Sequence, residues 1–180
     1  MSDYILKIVI LGDAGVGKTS LVNQFVSNTF KADYRGTMGV QIIKKQVIMD
    51  ENFSVRLLLW DIAGQDQYEK ARSGYYEGAS GALLVYDLTR FRSFDNIEEK
   101  WLTDFKNYVK SDIPYILIGN KCDLKDDRVV NMEDATTLAK KINAIEFIET
   151  SARSGMNVES AFKKLVRKIL RNHGVVFKEN

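Results

Sequence analysis

Five short runs along the chain are almost unbroken in apolar character: Tyr4 to Leu11, Val55 to Trp60, Gly81 to Asp87, Tyr115 to Gly119 and Ala144 to Glu149. A strand with one wet face alternates polar and apolar residues. These runs do not, so each asks to be covered on both sides, as the strands of a parallel sheet are. Val40 to Met49 is longer and mixed, the pattern of a strand at a sheet edge. Between the runs, apolar residues recur at spacings of three and four: Leu21, Val22, Phe25 and Val26, then Ile97, Trp101, Phe105 and Tyr108, then Ala135, Leu138, Ala139 and Ile142, and last Val158, Phe162, Leu165 and Ile169. Strand and helix in alternation predict an α/β fold with a mostly parallel sheet and helices on both faces. Ligands of such sheets bind at the carboxyl ends of the strands.

Composition narrows the field. The 180 residues suit one domain, and a single proline (Pro114) with no low-complexity stretch leaves no linker. The expected layout is one ligand-binding domain over 1–173 and a short tail over 174–180. A net charge of +2 is too small to point to nucleic acid. The lone Cys122 rules out a disulfide framework and favours a reducing compartment. No run approaches the roughly 18 apolar residues of a membrane span. Met1-Ser2-Asp3 opens no leader pattern and offers no glycine for myristoylation. The expectation is a cytoplasmic, monomeric protein.

Directly after the first run comes Gly12-Asp13-Ala14-Gly15-Val16-Gly17-Lys18-Thr19, which fits G-x-x-x-x-G-K-[ST]. Glycines let the backbone curl until its N–H groups converge on an anion. The helix that begins near Lys18 aims its N-terminus at the same point. Asp13, Ala14, Gly15, Val16, Gly17, Lys18, Thr19 and Ser20 are therefore the expected phosphate side of a nucleotide site. Lys18 would reach the β- and γ-phosphates, and the Thr19 hydroxyl would bind magnesium.

A second motif says which nucleotide. Asn120-Lys121-Cys122-Asp123 follows the strand that ends at Gly119. A carboxylate at Asp123 accepts from both N1–H and the exocyclic amine of guanine. Adenine would leave that carboxylate unpaired, at a heavy cost. Thr150-Ser151-Ala152-Arg153 follows the last run, where the Ala152 N–H would meet the guanine carbonyl. Each tetrapeptide alone is weak; together, at strand ends behind a phosphate loop, they point to GTP and GDP.

With these residues in hand the chain resembles the Ras superfamily of small GTPases over nearly its whole length. That resemblance implies a P-loop fold with a six-stranded, mostly parallel sheet and five helices. Ras is the worked case of this chemistry, so the roles that follow are taken over from it. In Asp61-Ile62-Ala63-Gly64-Gln65, Asp61 would hold Mg2+ through water, the Gly64 amide would contact the γ-phosphate and Gln65 would orient the attacking water. In Tyr34-Arg35-Gly36-Thr37-Met38-Gly39, Thr37 would complete the magnesium site only while the γ-phosphate is present. Gln65, Lys18 and Thr37 are thus the catalytic candidates. Phe30 and Tyr34 join the nucleotide contacts, with Asn120, Lys121, Ser151 and Arg153 at the base.

Within the superfamily the Rab branch is most similar, through Trp60-Asp61, Tyr75 to Ala79 and Leu84 to Thr89. Ile42, Trp60 and Tyr75 would form an apolar patch for effectors, with Ile42 in place of the usual phenylalanine. Exchange factors and GTPase-activating proteins are the other partners implied. Two departures and two further features stand out. The tail from Gly174 to Asn180 has no cysteine to prenylate, so either the chain is cut short or membrane contact is at most peripheral. A basic face of Lys163, Lys164, Arg167, Lys168 and Arg171 would serve such contact. Ala14 stands where Ras has glycine, and Arg35 is a candidate for a cis arginine that speeds hydrolysis. The rival classes are a nucleotide kinase, which would need an arginine-rich lid absent here, and a scaffold that binds GTP without hydrolysing it.

Overall fold

The computed structural model describes residues 4–32, 36–51, 53–109 and 112–175. Six strands form one sheet in the order β2-β3-β1-β4-β5-β6. They are β1 (Tyr4–Leu11), β2 (Val40–Asp50), β3 (Phe53–Ile62), β4 (Gly81–Asp87), β5 (Tyr115–Asn120) and β6 (Phe147–Thr150). Among the described residues only the β2–β3 pair is antiparallel. Every other pairing is parallel, so the ends of β1, β3, β4, β5 and β6 gather at one edge. The sheet predicted from the apolar runs is the sheet observed.

The helices are α1 (Lys18–Ser27), α2 (Glu69–Tyr76), α3 (91–108), α4 (Met132–Lys141) and α5 (Val158–Asn172). A 3₁₀ turn at Asp66–Tyr68 leads into α2, and α3 contains a π turn at Ile97–Leu102. Period-2 alternation of the strands divides the core in two. Ile8, Ile10, Leu57, Leu59, Val85 and Ile118 pack under α1 and α5, where Phe25 stacks on Phe162 at 4.0 Å. Val9, Leu11, Leu84, Tyr86 and Leu117 face Tyr76, Trp101, Phe105 and Leu138 of the other helices. β4 and β5 are buried at every position, whereas β2 alternates and leaves Ile42 and Ile48 exposed.

One run is corrected. The last strand begins at Phe147 rather than Ala144 and continues to Thr150. Asn143 turns into the left-handed region at φ 58, and the Ala144 N–H bonds back to Ala139 O at 2.9 Å, so Ala144 closes the helix end, while the Ile145 N–H reaches Tyr115 O at 2.9 Å ahead of the strand proper. At the other end, α5 stops at Asn172, yet the Val175 N–H returns to Leu170 O at 3.0 Å and its side chain packs on the core.

Candidate functional site

A cleft runs along the carboxyl edge of the sheet. Its wider part, about 660 Å³, is lined by Gly15, Gly17, Ser20, Phe30, Asn120, Lys121, Asp123, Ala152 and Arg153, among others. Its narrower part lies between the phosphate loop and Gly36, Thr37, Gly64 and Gln65. The two parts share Gly15, Gly17 and Ser20, so the two motifs found in sequence open onto one space.

The loop after β1 curls as the glycines predict. Gly17 caps α1 at φ 101, and a Cβ there would lie 2.2 Å from Asn120 Nδ2, so no other residue fits. Lys18 is 6% exposed and crosses the loop to donate to Gly12 O at 2.7 Å and Asp13 O at 2.8 Å. Burial pulls its ammonium down to about 8, although the charges of Asp61 and Asp13 oppose the shift. An anion in the cleft would restore the charged form. The Val16 side chain is core, at 0% exposed, and has only its backbone to offer. The Asp13 carboxylate turns away from the cleft, toward Asn96 and Trp101 of α3.

Thr19, Thr37 and Asp61 come from a helix, a loop and a strand end, and they meet. The Thr19 hydroxyl donates to Asp61 Oδ2 and lies 2.8 Å from the Thr37 hydroxyl, which is itself 3.3 Å from Asp61 Oδ2. Asp61 is 0% exposed, and its Oδ1 is buried with no hydrogen-bond partner. Burial raises its pKa, against the Thr19 bond and the Lys18 charge. An orphaned carboxylate oxygen beside two hydroxyls is a hard oxygen set, the kind that suits Mg2+ with waters and phosphate completing an octahedron. Gly64 lies so close to the loop that a Cβ would sit 2.3 Å from the Ala14 nitrogen. The neighbouring Gln65 keeps a buried Oε1 without a partner. The Ala63 N–H donates to Gly39 O at 2.8 Å and joins the two segments.

At the wide end the side chains hold one another. Asn120 Nδ2 donates to Val16 O at 2.9 Å, while its Oδ1 accepts from Thr150 at 3.1 Å and from the Ala152 N–H at 3.2 Å. The Ala152 amide expected to face a base carbonyl is thus engaged, by a long bond that a ligand would share or replace. Ser151 Oγ donates to Asp123 Oδ1 at 2.6 Å and fixes the carboxylate. Lys121 Nζ is 2.6 Å from Asp87 Oδ2. Phe30, at 42% exposed, stands at the cleft mouth rather than in the core.

A family model described as Ras family matches residues 7–171. The chain belongs to the Ras family. Among its relatives, Ras-related protein RABA4d of Arabidopsis thaliana is 44% identical over 169 residues, spanning 94% of this chain and 75% of that one. Ras-related protein RABA1g of the same plant is 41% identical, over 94% and 76%. GTP-binding protein ypt3 of Schizosaccharomyces pombe is likewise 41% identical, over 94% and 78%. As a Ras-family member with Rab-named relatives, the protein is a small GTPase, a nucleotide-dependent switch.

The residues of the expected effector patch lie together. Ile42 pairs with Trp60 across β2 and β3, and the Trp60 ring lies 6.2 Å from that of Tyr75, so the three form one patch. Ile42 is 49% exposed, and the two aromatics are half-buried and pack against the second core. Tyr34 and Arg35 lie outside the described residues, as does the tail beyond 175. Two contributors escaped the sequence reading. Asp87 ends β4 and ties down Thr89, Arg90 and Lys121. Thr150 anchors Asn120. Both sat inside quoted segments, and their place at strand ends was the available signal.

Proposed function

We propose that this GTPase binds GTP and GDP with Mg2+ in the cleft, hydrolyses GTP slowly, and reports the bound nucleotide through two segments, about 28–42 and 61–76. The observation that carries the reading is the meeting of Thr19, Thr37 and Asp61 beside the phosphate loop, with one Asp61 oxygen left over. Thr19, Thr37 and, through water, Asp61 would hold the metal, which would neutralise charge on the phosphates. The Lys18 ammonium and the loop amides donate to phosphate oxygens. Gln65 Oε1 accepts a hydrogen bond from the attacking water and aims its lone pair in line with the γ-phosphorus, so that the new P–O bond forms as the bond to the β-phosphate oxygen breaks and GDP leaves. Phosphate leaves, and Thr37 and the Gly64 amide lose the group that held them. Asp123 reads N1–H and the amine of guanine.

Ile42, Trp60 and Tyr75 present an apolar patch for effectors, with exchange and activating proteins as the other partners. The relatives' names favour a Rab-like place in membrane traffic, for a monomer in the cytoplasm that touches membranes at most peripherally. Among the described residues no helix is long and apolar enough to cross one. Lys163 and Lys164 of the basic α5 face already pair with Glu159 and Glu146, which leaves less charge for lipid.

Single-turnover hydrolysis of magnesium-bound GTP by the wild type beside Gln65→Leu, with excess ATP as competitor, tests the reading. Slow hydrolysis that the mutant loses and ATP leaves alone is the expected result. Tight binding without hydrolysis in either protein would replace the switch with a binding scaffold. Displacement by ATP would remove the guanine pocket.

A further inference from the structure

Helix α3 is interrupted at Ile97–Leu102 by the wider π turn. Residues five apart on an α-helix point about 140° away from each other, whereas an i→i+5 turn brings them back to one side. Asn96 and Trp101 are such a pair, and they converge on one carboxylate. Asn96 Nδ2 donates to Asp13 Oδ2 at 2.8 Å, and Trp101 Nε1 donates to Asp13 Oδ1 at 2.7 Å. From the start of the same helix, Arg90 Nη2 donates to Ala14 O at 2.8 Å. The inner side of the phosphate loop faces the cleft, and its outer side is held by α3 at three points.

The same tryptophan touches the second segment proposed to switch. Arg72 of α2 is 1% exposed, with its guanidinium carbon 4.8 Å from the centre of the Trp101 ring. Arg72 Nε is 3.0 Å from Asp104 Oδ2, which also accepts from the Tyr76 hydroxyl at 2.7 Å. Lys100, whose ammonium lies 4.8 Å from the same ring, pairs with Asp66, the residue after Gln65. Trp101 is 0% exposed, with the phosphate loop at its N–H and α2 on its ring.

We propose that Trp101 is a positioning residue for GTP binding and hydrolysis: its indole N–H, with the Asn96 amide, fixes Asp13 and so the phosphate loop, and its ring ties that loop to α2. This rests on the nucleotide site proposed above. A charge-assisted bond in a dry setting is stronger than a neutral one in water, so removing one donor loosens the segment that Asp13 anchors. An indole that served only to fill space would tolerate loss of its N–H.

Trp101→Phe removes the N–H and keeps a ring; Asn96→Ala removes the second donor from a half-exposed position. Each is expected to speed dissociation of a fluorescent GDP analogue by roughly ten-fold, with preference for guanine over adenine unchanged because Asp123 lies at the far end of the cleft. The deciding readout is the double-mutant cycle: in an Asp13→Ala background either substitution adds no more than about two-fold, since the shared partner is gone. The ¹⁹F signal of 5-fluorotryptophan at position 101, assigned by its loss in Trp101→Phe, is expected to move between GDP and a non-hydrolysable GTP analogue. Dissociation within about two-fold of wild type in both variants would overturn the proposal, as would effects that multiply with Asp13→Ala. A ¹⁹F signal blind to the nucleotide would overturn the tie to α2. Should Trp101→Phe not fold, Asn96→Ala and its cycle decide alone. A wild type that binds no GDP analogue sinks the nucleotide site and this proposal together, whereas a binding wild type with indifferent variants sinks only this one.

Discussion

At the base end of the cleft the strand-end loops are bonded to one another: Asn120 joins Val16, Thr150 and Ala152, Ser151 holds Asp123, and Asp87 holds Lys121. At the phosphate end, Gly36, Thr37, Gly64 and Gln65 approach the loop from two separate segments, and acceptors on Asp61 and Gln65 are left without partners. On the proposed function the first arrangement would need little reorganisation to receive a base, so its selectivity would be the same whatever the phosphates are. The second is incomplete by itself. On the proposed function a γ-phosphate would hold it closed, and losing that group would release it. The proposed function thus assigns recognition and switching to different ends of one cleft, and substitutions should separate them.

The largest effect is expected at the base end. Asp123→Ala removes both acceptors for guanine and should weaken GTP and GDP alike by roughly 10³-fold, measured by titration with a fluorescent nucleotide. Saturating nucleotide should still produce the normal difference between the GTP and GDP forms. A mutant that bound normally would end the distinction between the ends. Next comes Gly64→Ala. Its Cβ would fall 2.3 Å from the Ala14 nitrogen, so the second segment must back away from the loop. Single-turnover hydrolysis should drop by roughly 10², the cost of one misplaced transition-state donor, while GDP affinity changes little. An equal loss in GDP affinity would show that this segment belongs to the permanent binding surface. Ser151→Ala sharpens the base side. It frees the Asp123 carboxylate and should raise the GDP dissociation constant about ten-fold, with hydrolysis of bound GTP unchanged in rate.

How much of this was legible follows from how local each cause is. The phosphate loop and the Asn120 and Asp123 motif are turn chemistry, fixed by residues within a few positions of one another at strand ends. The apolar runs and helical periods placed five of six strands well, and the exception at Ala144 and Ile145 failed where Asn143 imposes a helix-ending turn that hydrophobicity does not register. The attachment of Asp13 to Trp101 joins residues 88 positions apart. Ile97, Trp101, Phe105 and Tyr108 read equally well as an unbroken α-helix, so the π turn left no mark in the period. The role of Asp87 was hidden in part for a similar reason: Thr89 and Arg90 follow it two and three residues on, but Lys121, after the end of β5, meets it only in three dimensions.

Asp87 carries the smallest predicted effect and joins the two ends, since Arg90 beside the phosphate loop and Lys121 beside the base both pair with its Oδ2, at 3.3 and 2.6 Å. The carboxylate is 1% exposed. Burial alone would raise its pKa, but the bonds from Lys121 and Thr89 together outweigh it and hold the carboxyl below its ordinary 3.8. A folded pKa below the unfolded one means that the unfolded chain takes up the proton first as acid is added. The stability that Asp87 contributes is therefore fully present above its ordinary value and is lost as pH falls through the folded pKa. Asp87→Asn should lower the thermal midpoint by about 2–6 °C near neutrality. That gap should begin to narrow below about pH 3.8 and close as pH falls through the lower folded pKa, where the wild type loses the same charge. A gap that stays constant down to acid pH would mean that Asp87 acts through shape and neutral hydrogen bonds. The link between Arg90 and Lys121 would then be steric, and the two ends of the cleft would share no electrostatic tie.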